Sequence, residues 1–213
     1  AILDQMFQCA LAYKSISLVG DQTDVRGAEQ EKKRFATLAV STLLAYADKM
    51  REWPLLTVRC RCAAPKVGVP HGPWCGELFR GGQIHAQTLD EARLVARAIA
   101  PTYDLLRGYL TGDERRRVKA DLFDPILDRL VAFPIREDLW ISNWHTWHAA
   151  ALITAGVALD DKGRIDVGRA AIEHQLDPDN HALSAEGFWH EGSWGYHLFT
   201  LDALVRAAEA GRC

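Results

Sequence analysis

Apolar residues recur along this chain at three- and four-residue steps, and no segment keeps up a strict alternation, so the pattern is that of amphipathic helices. Residues 2–18 mix helical and ambiguous spacing. From Ala28 to Met50 the period is clear, with Phe35, Leu38, Ala39, Leu43 and Tyr46 on one face. Trp53-Pro54 closes that helix, because proline disfavours helix at the residue before it. Residues 54–87 lose the period. Pro65, Pro70, Pro73 and the glycines at 68, 72, 76, 81 and 82 mark an irregular insertion, with Leu55–Val58 as one candidate strand. Thr88-Leu-Asp-Glu91 then reads as a capping box, in which the Thr and Glu side chains satisfy each other's free amides. It opens a helix to about Tyr109, with Leu94, Ala98, Tyr103 and Leu106 inward and a break at Pro101.

Thr111-Gly112-Asp113 starts the next helix, 114–131, with Val118, Leu122, Ile126 and Leu130 inside. Asn143–Leu159 follows, apolar almost all round from Ala149, which predicts burial on several sides. Residues 162–175 form a further helix, 177–184 a polar loop, and the last helix begins near Tyr196 with Leu198, Leu201, Leu204 and Val205 inward. Six or seven helices joined mostly by short loops predict an all-α fold of antiparallel hairpins, either a bundle or an (α/α) toroid. One domain spans 1–213.

Composition narrows the function more than the fold. Net charge is −3, from 25 Lys and Arg against 28 Asp and Glu, so no basic footprint points to nucleic acid. No apolar run approaches the roughly 18 residues of a membrane span. The start has neither an initiator Met nor the layout of a secretory signal, and the end, AEAGRC, falls mid-pattern, as expected of a mature or truncated piece. Five cysteines, loosely spaced, do not make a disulfide framework. Cys60, Cys62, His71 and Cys75 are a candidate Cys₃His zinc set, but the C-x-C spacing is tighter than usual, and free thiols are the expectation. Neither metal nor cofactor is expected.

Two stretches concentrate the chemistry: Ile141–His148 (ISNWHTWH) and Gly187–Leu201 (GFWHEGSWGYHLFTL). Ser142 or Asn143 is a natural N-cap, so the first stretch sits at a helix mouth, where free amides favour an anion. His145 and His148 are three apart and share a helix face. The bland alternative is a capping Asn with amphipathic aromatics sealing a helix end. In the second stretch His190-Glu191 does not extend to HExxH, and Gly192-Ser193-Trp194-Gly195 lacks the G-x-S-x-G elbow, so zinc-protease and serine-hydrolase readings fail. Together the stretches offer an amide, imidazoles, a phenol and four indoles. Indole faces suit sugar rings, and Tyr and His suit proton transfer next to a carboxylate.

Ser142–Ala151, followed after a helical hairpin by Glu186–His197, resembles the α/α-toroid polysaccharide lyases of the heparinase II/III-like and oligo-alginate lyase families, as does the upstream segment Gln83–Ala92 leading to Ala100–Leu106. The resemblance covers roughly Gly81 to the C-terminus. It implies cleavage of a uronic-acid polysaccharide by β-elimination. Carried over by position, Asn143 neutralises the uronate carboxylate and His145 is the base or a second neutraliser. Tyr196 protonates the departing O4, or acts as base and acid in turn. Gln87 lines the carboxylate side, and Trp144, His148, Trp189, His190, Trp194 and His197 shape the subsite. The resemblance also implies an acidic polysaccharide or oligosaccharide as partner, a further C-terminal β-sandwich domain outside this chain, and a periplasmic or secreted location.

Two other readings stay open at this level. One is a toroid glycoside hydrolase with Glu186 or Glu191 as acid. The other is a non-catalytic helical module that binds carbohydrate or another partner.

Overall fold

The computed structural model describes residues 2–19, 25–53, 87–132 and 141–211. The candidate zinc set, the candidate strand at 55–58 and the rest of the irregular insertion lie outside these residues, apart from Gln87. The described chain is all-helical. Its one β feature is an isolated antiparallel bridge between Leu183 and Trp189.

Helices α1 (Ile2–Val19) and α2 (Val25–Glu52) pack against each other. A rod, α3, runs through Thr88–Leu94, a π-turn at Val95–Ile99 and Ala100–Leu106. A second rod, α4, runs through Gly112–Val118, a π-turn at Lys119–Phe123 and Asp124–Ala132. Then come α5 (Asn143–Leu159), α6 (Lys162–Leu176), a 3₁₀ turn (Pro178–Asn180) and α7 (Trp194–Ala210). The expected break at Pro101 does not occur. A wide π-turn ends just before it, and another ends just before Pro125. Proline donates no hydrogen bond and its ring needs room in the preceding turn, both of which a π-turn accommodates.

Helix α5 is the centre. Fourteen of its residues are buried, from Asn143 to Ala158, and it packs on α3, α4, α6 and α7. Asp160, in the left-handed region at φ 57°, ends α5, and Asp161 caps α6, accepting from the Arg164 backbone N–H at 3.2 Å. Two residues cannot carry the chain far, so α5 and α6 form a tight αα-hairpin. They approach closely at Gly156 and Gly168. A Cβ on Gly168 would lie 2.8 Å from the Ala149 carbonyl oxygen.

Val118, Leu122, Ile126 and Leu130 are buried as expected. Three other expectations change. Leu38 turns outward on α2, where Ala36, Ala39, Val40, Leu43, Ala47 and Met50 form the inner face. On α7, Leu198, Leu201 and Val205 are exposed, while Thr200, Ala203 and Ala207 face inward. Small residues let α7 lie close on the alanine-rich α5, and large side chains there would hold the helices apart.

The third change concerns capping. Gln87, not Thr88, is the N-cap of α3, and it makes no side-chain cap. Glu91 is fully buried and accepts a hydrogen bond from Arg129 of α4 at 2.9 Å. The reciprocal box forms at Thr111 instead: its hydroxyl accepts from the Glu114 N–H at 3.2 Å, and the Glu114 carboxylate accepts from the Thr111 N–H at 2.8 Å.

Candidate active site

The N-termini of α3, α5 and α7 open onto one cavity of about 400 Å³, lined by Gln87 and Leu89 of the first, Asn143 and Trp144 of the second, and Ser193, Gly195, Tyr196 and Phe199 at the third, with Glu191 between. Each helix start leaves backbone N–H groups without intrahelical partners and carries partial positive charge. Three such ends bring partial positive charge to one opening without any basic side chain, and at α5 the Glu191 carboxylate already takes part of it. Among the described residues lining this cavity there is no Lys or Arg.

The mouth of α5 is built from several directions. Ser142 caps it, its hydroxyl accepting from the His145 N–H at 3.3 Å. From α6, the buried Gln175 amide reaches the same turn, donating to the Ser142 carbonyl at 2.9 Å and accepting from the Thr146 N–H at 3.2 Å. Behind it, Trp147 is fully buried. Arg93 of α3 stands 5.8 Å from the Trp147 ring and 4.9 Å from that of Phe199 on α7, a cation–π contact joining the three helices.

The loop 181–193 carries the other wall. The bridge between Leu183 and Trp189 folds it back on itself, with the His190 N–H donating to the Ala182 carbonyl at 2.9 Å. Gly187 and Gly192 take φ of 79° and 67°, a region costly to side chains. The turn at Gly192 follows Glu191, whose carboxylate meets α5. It accepts from Asn143 Nδ2 at 2.9 and 2.8 Å, from the Asn143 backbone N–H at 3.3 Å, and from Trp189 Nε1 at 2.6 Å.

The structure divides the sequence-predicted residues into two groups. Gln87, Asn143, Trp144 and Tyr196 come together around the cavity, with half of the Tyr196 surface exposed. His145, His148, Trp189, His190, Trp194 and His197 are not among its walls. His145 and His148 are buried inside, their rings 6.1 Å apart. Burial, and secondarily the neighbouring His145 imidazole, holds the His148 imidazole well below its ordinary pKa range, so it is neutral at neutral pH. Trp189 is buried. His197 accepts from the Trp189 backbone N–H through Nδ1 at 3.2 Å and stacks on Phe188 at 4.7 Å, which gives it a role in holding the loop. His190 and Trp194 are exposed.

Glu191 is the residue that sequence reasoning underweighted. In the sequence it is one of two nearby acids, beside His190 and Gly192, and suggests only a hydrolase acid. Glu186, the other acid of that reading, is exposed and does not line the cavity. A hydrolase needs two carboxyls flanking the bond. Among the described residues this cavity has one.

Known proteins similar to this chain are alginate lyases. The family profile described as alginate lyase matches residues 78–212. An alginate lyase of Stenotrophomonas maltophilia (strain K279a) is 27% identical over 202 residues, an alignment covering 89% of this chain and 26% of that protein. The chain therefore spans about a quarter of the length of that relative.

Proposed function

This chain belongs to the alginate lyase family, and we propose that it carries the uronate-binding and proton-transfer part of a polysaccharide lyase site. The supporting observation is the cavity that Asn143, Gln87 and Tyr196 share at three helix N-termini. In this reading a uronate carboxylate enters the opening and takes hydrogen bonds from the Asn143 and Gln87 amides. Withdrawing charge from the carboxylate acidifies the C5 proton. A base takes that proton, the C4–O4 bond breaks as the C4–C5 double bond forms, and O4 leaves with a proton from an acid.

Tyr196 is the proton-transfer group in this reading, since it stands on the cavity wall. A phenol near pKa 10 is a ready donor at neutral pH, and one that ionises in the site serves as base and acid in turn. His145 lies two residues beyond Asn143, about 200° around the helix, so the two side chains do not face the same space. Its role is to support the mouth of α5 from within. The partial-toroid architecture, a β-sandwich completing the cleft and an extracytoplasmic location belong to the same reading, by family resemblance.

The test uses the intact protein on alginate and other uronic-acid polymers, following the ultraviolet absorbance of the unsaturated uronate. General acid–base help is worth about 10²–10⁴ in rate, so Tyr196→Phe should fall by at least that range with its helix content unchanged. Turnover at the wild-type rate would overturn the assignment. New reducing ends without absorbance would indicate hydrolysis instead.

A further inference from the structure

We infer that Glu191 is a positioning residue, which fixes the Asn143 amide with its nitrogen end held and one N–H left for the substrate carboxylate. The inference takes its substrate from the lyase reading above, while its geometry stands apart from it. Asn143 is 4% exposed, and its Nδ2 lies almost equally far from both Glu191 oxygens, at 2.9 and 2.8 Å. Seen from that nitrogen, the two oxygens of one carboxylate are too close together for two N–H bonds, splayed at a trigonal angle, to point one at each. A single N–H therefore serves the carboxylate, and the second is left for the cavity that both residues line.

A carboxylate only accepts, and that makes the arrangement directional. Opposite Glu191 the Asn143 amide must present nitrogen. Without it the amide is free to turn over, and its oxygen would then face an incoming anion. The carboxylate is itself fixed by the Trp189 indole at 2.6 Å and by the first free backbone N–H of α5 at 3.3 Å, so it does not follow the amide if the amide turns. A glutamine at this position would lose the enforced direction, since its own amide can face Asn143 with either end. The negative charge of Glu191 also stands near the place proposed for the substrate's charge. Removing it should therefore not weaken binding, even as it removes alignment.

The experiment compares Glu191→Ala, Glu191→Gln and Asn143→Ala in the intact protein, with the double variant Glu191→Ala/Asn143→Ala. A misplacement of about 1 Å in a reacting group costs roughly a hundredfold. Glu191→Ala should lose kcat on that scale with little rise in KM, and Glu191→Gln should lose less, with KM unchanged or lower. In the Asn143→Ala background, Glu191→Ala should cost almost nothing more, because the amide it positions is gone. Losses that multiply in the double variant, or a loss carried by KM, would overturn the inference.

If the wild-type protein makes no unsaturated product from any uronic-acid polymer, the lyase reading falls on its own. The Asn143 side-chain amide resonances, identified by their absence in Asn143→Ala, then decide. One proton held against a carboxylate should be shifted and slow to exchange in the wild type, and should lose both properties in Glu191→Ala. An unchanged pair would overturn the positioning role.

Discussion

Gly168→Ala adds one methyl group where α6 meets the site-bearing helix α5, and the structure fixes what that methyl meets. Its Cβ would lie 2.8 Å from the Ala149 carbonyl oxygen, 2.8 Å from Ile153 Cγ1 and 3.2 Å from Leu152 Cβ. Carbon–oxygen contacts settle at about 3.3–3.6 Å, so the helices are too close by roughly half an ångström. Ile153 can shift its side chain. The Ala149 oxygen belongs to a buried helix backbone and cannot, so α6 must move outward. A radial gap of about 0.5 Å forfeits about a quarter of each dispersion contact it opens.

Overpacking of this kind costs about 1–3 kcal/mol, and alanine's better helix propensity returns at most about 1 kcal/mol. A net loss of about 1–2 kcal/mol is expected, or a Tm lower by about 2–8 °C for a chain of this size. Gly163→Ala, on the same helix, is the control. Its nearest contact is Asp161 Oδ1 at 3.5 Å, an ordinary separation, so its stability should be unchanged or slightly raised. Urea and thermal unfolding followed by helical circular dichroism measure both. A Gly168→Ala protein as stable as the wild type would show that the close approach is not a constraint.

Two more expectations follow from buried or capped groups. The unfolded chain takes up a proton at His148 that the folded chain refuses, so stability is full above about pH 6.5 and falls below it, by up to about 1.4 kcal/mol per pH unit until the depressed folded pKa is passed. Urea midpoints should show this slope in the wild type and a flatter one in His148→Leu; identical slopes would remove His148 as the source. Thr111→Ala takes away one side of the only complete capping box among the described helices, and should cost about 1 kcal/mol in the same unfolding assay. No loss would mean that solvent replaces the cap.

The periodicity was legible wherever apolar size and burial coincide, as in Val118, Leu122, Ile126 and Leu130. It misled on α7, where the larger residues stay outside and Thr200, Ala203 and Ala207 make the contact. Local pattern cannot say how closely two helices approach. The two Thr-x-x-Glu stretches are alike in sequence, yet Arg129 draws Glu91 into the interior and only Glu114 is left to cap. At the site, residue type pointed to the stretches 141–148 and 187–201 and the family resemblance to Gln87, and of these the fold gathers Gln87, Asn143, Trp144 and Tyr196 around one cavity. The His145–His148 spacing identified a shared face correctly but not its direction, which is inward. Glu191 became visible only through its distances to Asn143 and Trp189.

The thin inner face of α7 matters beyond packing. Tyr196 rides on the helix whose buried residues are Thr200, Ala203 and Ala207, with Phe199 the large side chain that packs on the core, while Leu198, Leu201 and Val205 stand in solvent. With fewer large side chains buried than α5, this helix should open in a smaller excursion than the one that melts α5, and amides along 196–207 should exchange faster than those of α5. Each such opening dismantles the cavity while leaving the interior intact. The opening can thus be lost and regained many times for each time the molecule unfolds.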